Sequence, residues 1–251
     1  MLIILILLQA VVAIWWGYLQ LTSDKTTLAN YLFNGVYGAT FLYGGLLGFF
    51  NGLKLGGFRS TVGRSLTIIS IGLILYALGQ YSWLIYNLIL HSEVPYPSIA
   101  DVFFVVSMPL FAIGFWFILR MYRTFLSGKM VAQLIVGVVI WSALTALVVG
   151  TPDLSGDLMS RFLNSYYPFG DAVLASLAFI TFRTGGGKID GSVLMFVAGM
   201  LLLAAGDIVF TFRNNTETYW NGDFSDILFA ASGFFICLGV IRTIKSFQTA
   251  R

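Results

Sequence analysis

One cysteine and one histidine among 251 residues leave little from which metal or redox chemistry could be built. Cys237 sits in the last apolar stretch and has no second thiol for a disulfide or a thiolate metal site. His91 falls in a loop, which disfavours haem ligation by paired axial histidines inside a bundle. Charge is scarce too: 10% of residues are Asp, Glu, Lys or Arg against 58% apolar. A water-soluble domain of this size could not cover its surface from so small a polar supply. The solvent implied is lipid, with no soluble domain, no metal, no cofactor and no nucleic-acid partner. No basic residue precedes the opening run MLIILILLQAVVAIWW, so it reads as a retained span rather than a cleaved signal.

Apolar stretches of about 20 residues match a hydrocarbon core of roughly 30 Å and run almost end to end. Helices are expected near 2–20, 31–53, 65–90, 101–119, 130–150, 166–182, 191–212 and 222–241. Helix 6, at 166–182, is the shortest of these. Lys and Arg accumulate in short cytoplasmic loops. Lys54, Arg59, Arg64, Arg120, Arg123, Lys129, Arg183, Lys188, Arg242, Lys245 and Arg251 fall on one side, against Lys25, Arg161 and Arg213 on the other. Both termini are therefore expected in the cytoplasm of a cell-membrane protein. Acidic residues gather on the outer side, with Trp15, Trp16, Tyr96, Tyr166, Tyr167, Tyr219 and Trp220 as an interfacial aromatic belt.

In helix 2, Gly44, Gly48, Gly52 and Gly56 recur four apart and form a small-residue stripe. Such a stripe lets a neighbouring backbone approach closely, within the chain or, alternatively, in a homodimer. Two distant segments are alike: ADVFFVVSMPLFAIGF in helix 4 and SDILFAASGFFICLGV in helix 8. The match pairs Asp101 with Asp226, Phe104 with Phe229, Ser107 with Ser232 and Gly114 with Gly239; upstream, Gln80 pairs with Asp207. The fold expected is all-α integral membrane, eight transmembrane helices in two tandem four-helix halves of the same orientation, 1–125 and 126–251.

Asp207 lies more than one turn inside helix 7, where an ionised carboxylate costs about 2.5 kcal/mol or more at mid-membrane depth. It should face the interior and take a partner from Arg213, Gln80 or Thr211. Asp101, Asp171 and Asp226 each open an apolar helix at its outer end, which capping and the helix dipole favour. Their recurrence beside aromatics also suggests an acidic outer pocket for cations or amines. Retinal chemistry is disfavoured, because helix 8 offers only Lys245, at its inner end. A membrane aspartyl protease is disfavoured because the Gly-Asp pairs, at 170–171 and 206–207, are expected near the outer edge rather than facing each other mid-membrane. TGGGKIDGS at 184–192 lacks phosphate-loop spacing and reads as a cytoplasmic turn.

The segments PYPSIADVFFVVSMPLFAIG (95–114), YYPFGDAVLASLAF (166–179), LLLAAGDIVF (201–210) and YWNGDFSDILFAASG (219–233) resemble a known family. It is the multi-span membrane sensor region at the N-terminus of bacterial diguanylate cyclases and phosphodiesterases and of some histidine kinases. The resemblance implies an input module without enzymatic activity that passes a stimulus to a cytoplasmic output domain. The sequence departs from that pattern in ending about ten residues past helix 8, which leaves three expectations: a kinase or cyclase on a separate chain as partner, an output domain further along a longer chain, or a different role for this relative. The candidate sensing residues are Asp101, Asp171, Asp207, Asp226, Gln80, Tyr96 and Arg213. The alternative is a small cation or amine transporter or channel using Asp207, and a third reading is a structural partner of another membrane protein through the glycine face.

Overall fold

A computed structural model describes residues 1–121, 128–184 and 190–248, and among these the regular structure is helical. Arg123, Lys188 and Arg251, used above for orientation, lie outside the described residues. The helices are α1 (Leu2–Leu21), α2 (Leu28–Lys54), α3 (Thr61–Leu88), α4 (Ile99–Met121), α5 (Gly128–Val149), α6 (Leu158–Thr184), α7 (Gly191–Asn215) and α8 (Phe224–Gln248), with a 3-10 turn at Gly57–Arg59. Six of the eight are long and apolar enough to cross a membrane. α2 and α6 have the length, 27 residues each, but dilute their apolar surface with asparagine, tyrosine, glycine and charged residues. These two polar helices carry much of the candidate site.

The largest difference from expectation is at α6, which is among the longest helices and begins at Leu158. Tyr-Tyr-Pro reads as a helix start because proline suits the first turn. In the structure Pro168 lies inside the helix. The true start is set by Asp157, whose Oδ1 accepts the Met159 and Ser160 amides at 2.8 and 3.1 Å, while its Oδ2 accepts the Ser160 hydroxyl. A side-chain acceptor for the free amides of a first turn fixes where a helix begins. α8 also runs past its expected end, to Gln248.

Helices α2, α3, α4, α6, α7 and α8 build the centre, while α1 leans on α2 and α8, and α5 on α6 and α7. The peripheral pair turn apolar faces outward: Ile3 and Ile14 of α1, and Val139 and Leu147 of α5, are exposed. For a lipid-facing surface that costs nothing. Close approach at the centre depends on glycine. A Cβ on Gly44 would overlap Cys237 Sγ of α8, and one on Gly48 would overlap Ser70 Oγ of α3. One on Gly52 would come within 2.6 Å of Thr67 Oγ1. These three glycines therefore seat α2 against α3 and α8 within the chain. Gly56 is not on that stripe: it lies beyond α2 at φ +106, a left-handed position suited to glycine.

Glycine contacts recur at matching positions. Gly72 and Gly79 of α3 lie against Phe111 and Phe104 of α4; Gly199 and Gly206 of α7 lie against Ile236 and Phe229 of α8. In the reverse sense, Gly114 of α4 meets Ile69, and Gly239 of α8 meets Phe196. Each member of the second set lies at one constant offset along α3 and α7, and at another along α4 and α8.

Candidate functional site

The site begins at two helix starts. At α4, Asp101 Oδ2 accepts the Ser98 amide at 2.7 Å and its hydroxyl at 3.0 Å. At α8, Asp226 is buried, and its Oδ2 accepts the Gly222 amide at 2.6 Å. Asp101 thus closes a capping box on its own helix, while Asp226 ties the first turn of α8 back to Gly222 in the loop before it. Each also takes a phenol from elsewhere: Tyr167 donates to Asp101 Oδ1 at 2.7 Å, and Tyr219 lies 3.3 Å from Asp226 Oδ2. Capping alone therefore does not exhaust their contacts.

Two tyrosines tie helices across the bundle. Tyr37 of α2 donates to Gln80 Oε1 of α3 at 2.7 Å and lies within hydrogen-bonding reach of Asp226. One turn nearer the start of α2, Asn34 donates to Asn221 Oδ1 at 2.6 Å. On the other side Tyr167 of α6 reaches Asp101, and one turn nearer the start of α6 Asn164 accepts from the Tyr96 phenol at 2.7 Å. Tyr76 sits between the two sides. It stacks on Phe41 at 4.3 Å between centroids, and Phe104 lies 5.0 Å away. It hydrogen-bonds with Gln80 and is in electrostatic reach of Asp171, Asp207 and Asp226.

Asp171 is 2% exposed and lies mid-way along α6 rather than opening it, so no free helix amides cap it. Its carboxyl lies within hydrogen-bonding reach of that of Asp207, two turns inside α7. The partner of Asp207 is therefore Asp171, not Arg213. Arg213 Nε lies 2.9 Å from Oδ2 of Asp223, a buried aspartate at the start of the expected helix 8. α6 and α7 pack together and bring the carboxyls of the two Gly-Asp pairs within reach of each other. Gln80 reaches the same region through Tyr76.

Outside the helices, burial and then the nearby Asp101 push the Tyr96 phenol up to about 12. Asp157 is held below the usual carboxylate range, first by the Ser160 hydroxyl and then by the Ser160 amide. The outer aromatics do more than mark an interface. Trp16 donates to the Asp223 carbonyl, Tyr166 to the Val105 carbonyl and Trp15 to the Ala29 carbonyl.

A pair of touching carboxyls can hold and release one proton, bind a small cation, or activate a water as acid and base. A caged divalent ion is disfavoured: among the described residues no group of three or more His, Cys, Asp or Glu could hold a metal. One cavity of about 370 Å³ is an apolar groove by Val11, Ile14, Trp15, Tyr18 and Ala29, and another of about 230 Å³ lies by Asp190 and Arg242 at the opposite end. Sequence reasoning missed Asn34, Tyr37 and Asp223. The one signal for the first two was their spacing, three apart on a helix otherwise made small by glycine.

No protein-family model matches the chain, and no curated protein or solved structure matches it.

Proposed function

We propose that the chain is a membrane sensor module of eight spans without enzymatic activity, both termini cytoplasmic, in which the outer acidic cluster meets the stimulus. The observation that carries this reading is the contact between Asp171 and Asp207, set in a polar network that links α2, α3, α4, α6, α7 and α8. A change of charge there acts on six helices at once, and a stimulus can shift a bundle only by interacting differently with its two states. α8 is the natural output lever, since it carries Asp226 in its first turn and Arg242 and Lys245 near its other end. The partner this reading proposes is a kinase or cyclase output domain.

Eight spans are supported by the alternation of basic loops and by the 27-residue length of α2 and α6. Two tandem halves of like orientation are supported by the matched glycine contacts and by the parallel pairs, Asn34 with Asn221 and Asn164 with Tyr96.

The purified protein in lipid discs should change its amide hydrogen exchange at the inner end of α8 when external pH, cations or amines are varied. Asp207→Asn and Asp226→Asn should abolish that response. Unchanged responses in both variants would sink the sensor reading.

The carboxyl pair also supports a second reading, a small cation or amine transporter, because intramembrane carboxyls commonly mark ion and proton paths. Uptake or conductance in liposomes that disappears in Asp207→Asn would decide for transport.

A further inference from the structure

Four carboxyl or amide groups in the two sides of the site occupy related positions but differ in what they can satisfy. Around Tyr37 the phenol donates to Gln80 Oε1 at 2.7 Å, and Asp226 takes the Gly222 amide at 2.6 Å. Around Tyr167 the corresponding aspartate, Asp101, is likewise supplied by Ser98 and by the phenol. The position that matches Gln80, however, holds Asp207, and Asp207 meets Asp171. An amide both donates and accepts; two ionised carboxylates only accept. Asp171 Oδ1 is buried and has no donor, while the contact of its carboxyl is with another carboxyl.

We infer that Asp171 and Asp207 form a one-proton site, the proton lying between the two carboxyls and supplying the donor that Asp171 otherwise lacks. On the Tyr37–Gln80–Asp226 side, Gln80 stands where Asp207 stands, so there is no second carboxylate for a proton to reconcile. The inference rests on reading the acidic cluster as the working part of the molecule, and it names the ligand as a proton rather than a cation or an amine.

The surroundings favour it from every packed element. α3 presents Tyr76 and Gln80, α4 presents Asp101, α6 itself Tyr166 and Tyr167, and α8 Asp226. α5, which also packs on α6 and α7, has no titratable side chain from Val131 to Val149. The nearest cation along α7, Arg213, is engaged with Asp223 at 2.9 Å. Asp171 is buried and Asp207 half-buried, and burial without a compensating cation disfavours two like charges in contact. One proton removes the conflict and makes one carboxyl the donor.

The test is infrared difference titration of the full chain in lipid discs, following the carboxyl C=O stretch. Wild type should take up the two protons of the pair in steps separated by about one pH unit or more, the mark of coupled groups. Asp171→Asn and Asp207→Asn should each leave a single step, and Asp226→Asn should keep both. Asp207→Gln, which copies the residue found at position 80, should remove the coupled step while the protein stays monodisperse, so that loss of fold is not mistaken for loss of the site. Steps that remain unchanged in Asp171→Asn or Asp207→Asn would overturn the inference. So would loss of the protonated band on adding sodium at fixed pH, with choline as control, because that outcome assigns the site to a metal cation. Coupled steps with an intact stimulus response in Asp207→Asn would leave the proton site standing and remove the sensor reading. A lost response without coupled steps would do the reverse.

Discussion

Arg213 is paired with Asp223, not with the aspartate six residues before it on its own helix: Nε and Oδ2 are 2.9 Å apart, with Asp223 buried and the arginine side chain 37% exposed. The pair joins the C-terminal end of α7 to the entry of α8, where Trp16 also binds the Asp223 carbonyl. Removing one partner of a fully buried pair costs about 3–5 kcal/mol. Water reaches this guanidinium and screens it, so Arg213→Met should cost less, about 1–3 kcal/mol. Combining it with Asp223→Asn should recover part of the loss. Thermal unfolding of the four members of the cycle in one detergent measures both effects.

Tyr167→Phe removes the phenol that donates to Asp101. The exposed face of that carboxylate still finds water, so the loss should be about 1–2 kcal/mol. Tyr37→Phe leaves Gln80 Oε1 without its donor in a fully packed setting and should cost more, about 2–3 kcal/mol. Equal losses, or the opposite order, would contradict the difference in burial on which the prediction rests.

Glycine substitutions separate packing from propensity. Gly52→Ala places a methyl 3.0 Å from the Thr67 backbone nitrogen, which cannot swing aside, and should destabilise by about 1–3 kcal/mol. Gly17 of α1 has nothing within 4 Å. Gly17→Ala should therefore stabilise by about 0.5–1 kcal/mol through the better helix former. The same variants test self-association: if the glycine face of α2 served a dimer, Gly52→Ala would shift the oligomeric state as well as the unfolding temperature.

The start of α6 should respond to acid. Asp157 caps it and is held below the usual carboxylate range by Ser160. A depressed folded-state value means that the stabilisation is present above the unfolded value of 3.8 and is lost as pH falls through the lower folded one. Hydrogen exchange at the Met159 and Ser160 amides should accelerate in that acid range and be insensitive to pH-dependent cap loss in Asp157→Ala.

Orientation is tested with cysteine, because the single native thiol, Cys237, is buried. Ser92→Cys and Ser155→Cys should react with an impermeant maleimide in intact cells, and Phe58→Cys only after lysis. The reverse labelling would invert the topology.

α6 shows why a helix can be legible and its ends not. Apolar content marked Tyr166 onward, but the first two turns, LMSRFLNS, are amphipathic and depend on a cap at Asp157 that only a local reading of Asp-x-x-Ser would find. The glycines of α2 were legible as a packing face because a missing side chain is a property of one residue. Which helices filled that face, α3 and α8, was not. Asp101 and Asp226 could be recognised at helix starts, since capping is local. Asp171 was misplaced with them, because its role depends on a residue 36 positions away.

Composition and the spacing of apolar runs determined that the chain is helical, that most of its helices are long and apolar enough to cross a membrane, and roughly where each lies. Those features reside in single residues and short periods, so sequence suffices. Tertiary structure decided who faces whom: that Arg213 belongs to Asp223, that Tyr37 meets Gln80, and that Asp171 and Asp207 share one point between α6 and α7. Such partnerships arise from how helices rotate and tilt to seat glycine against side chain, and that geometry is a property of the packed bundle rather than of any segment within it.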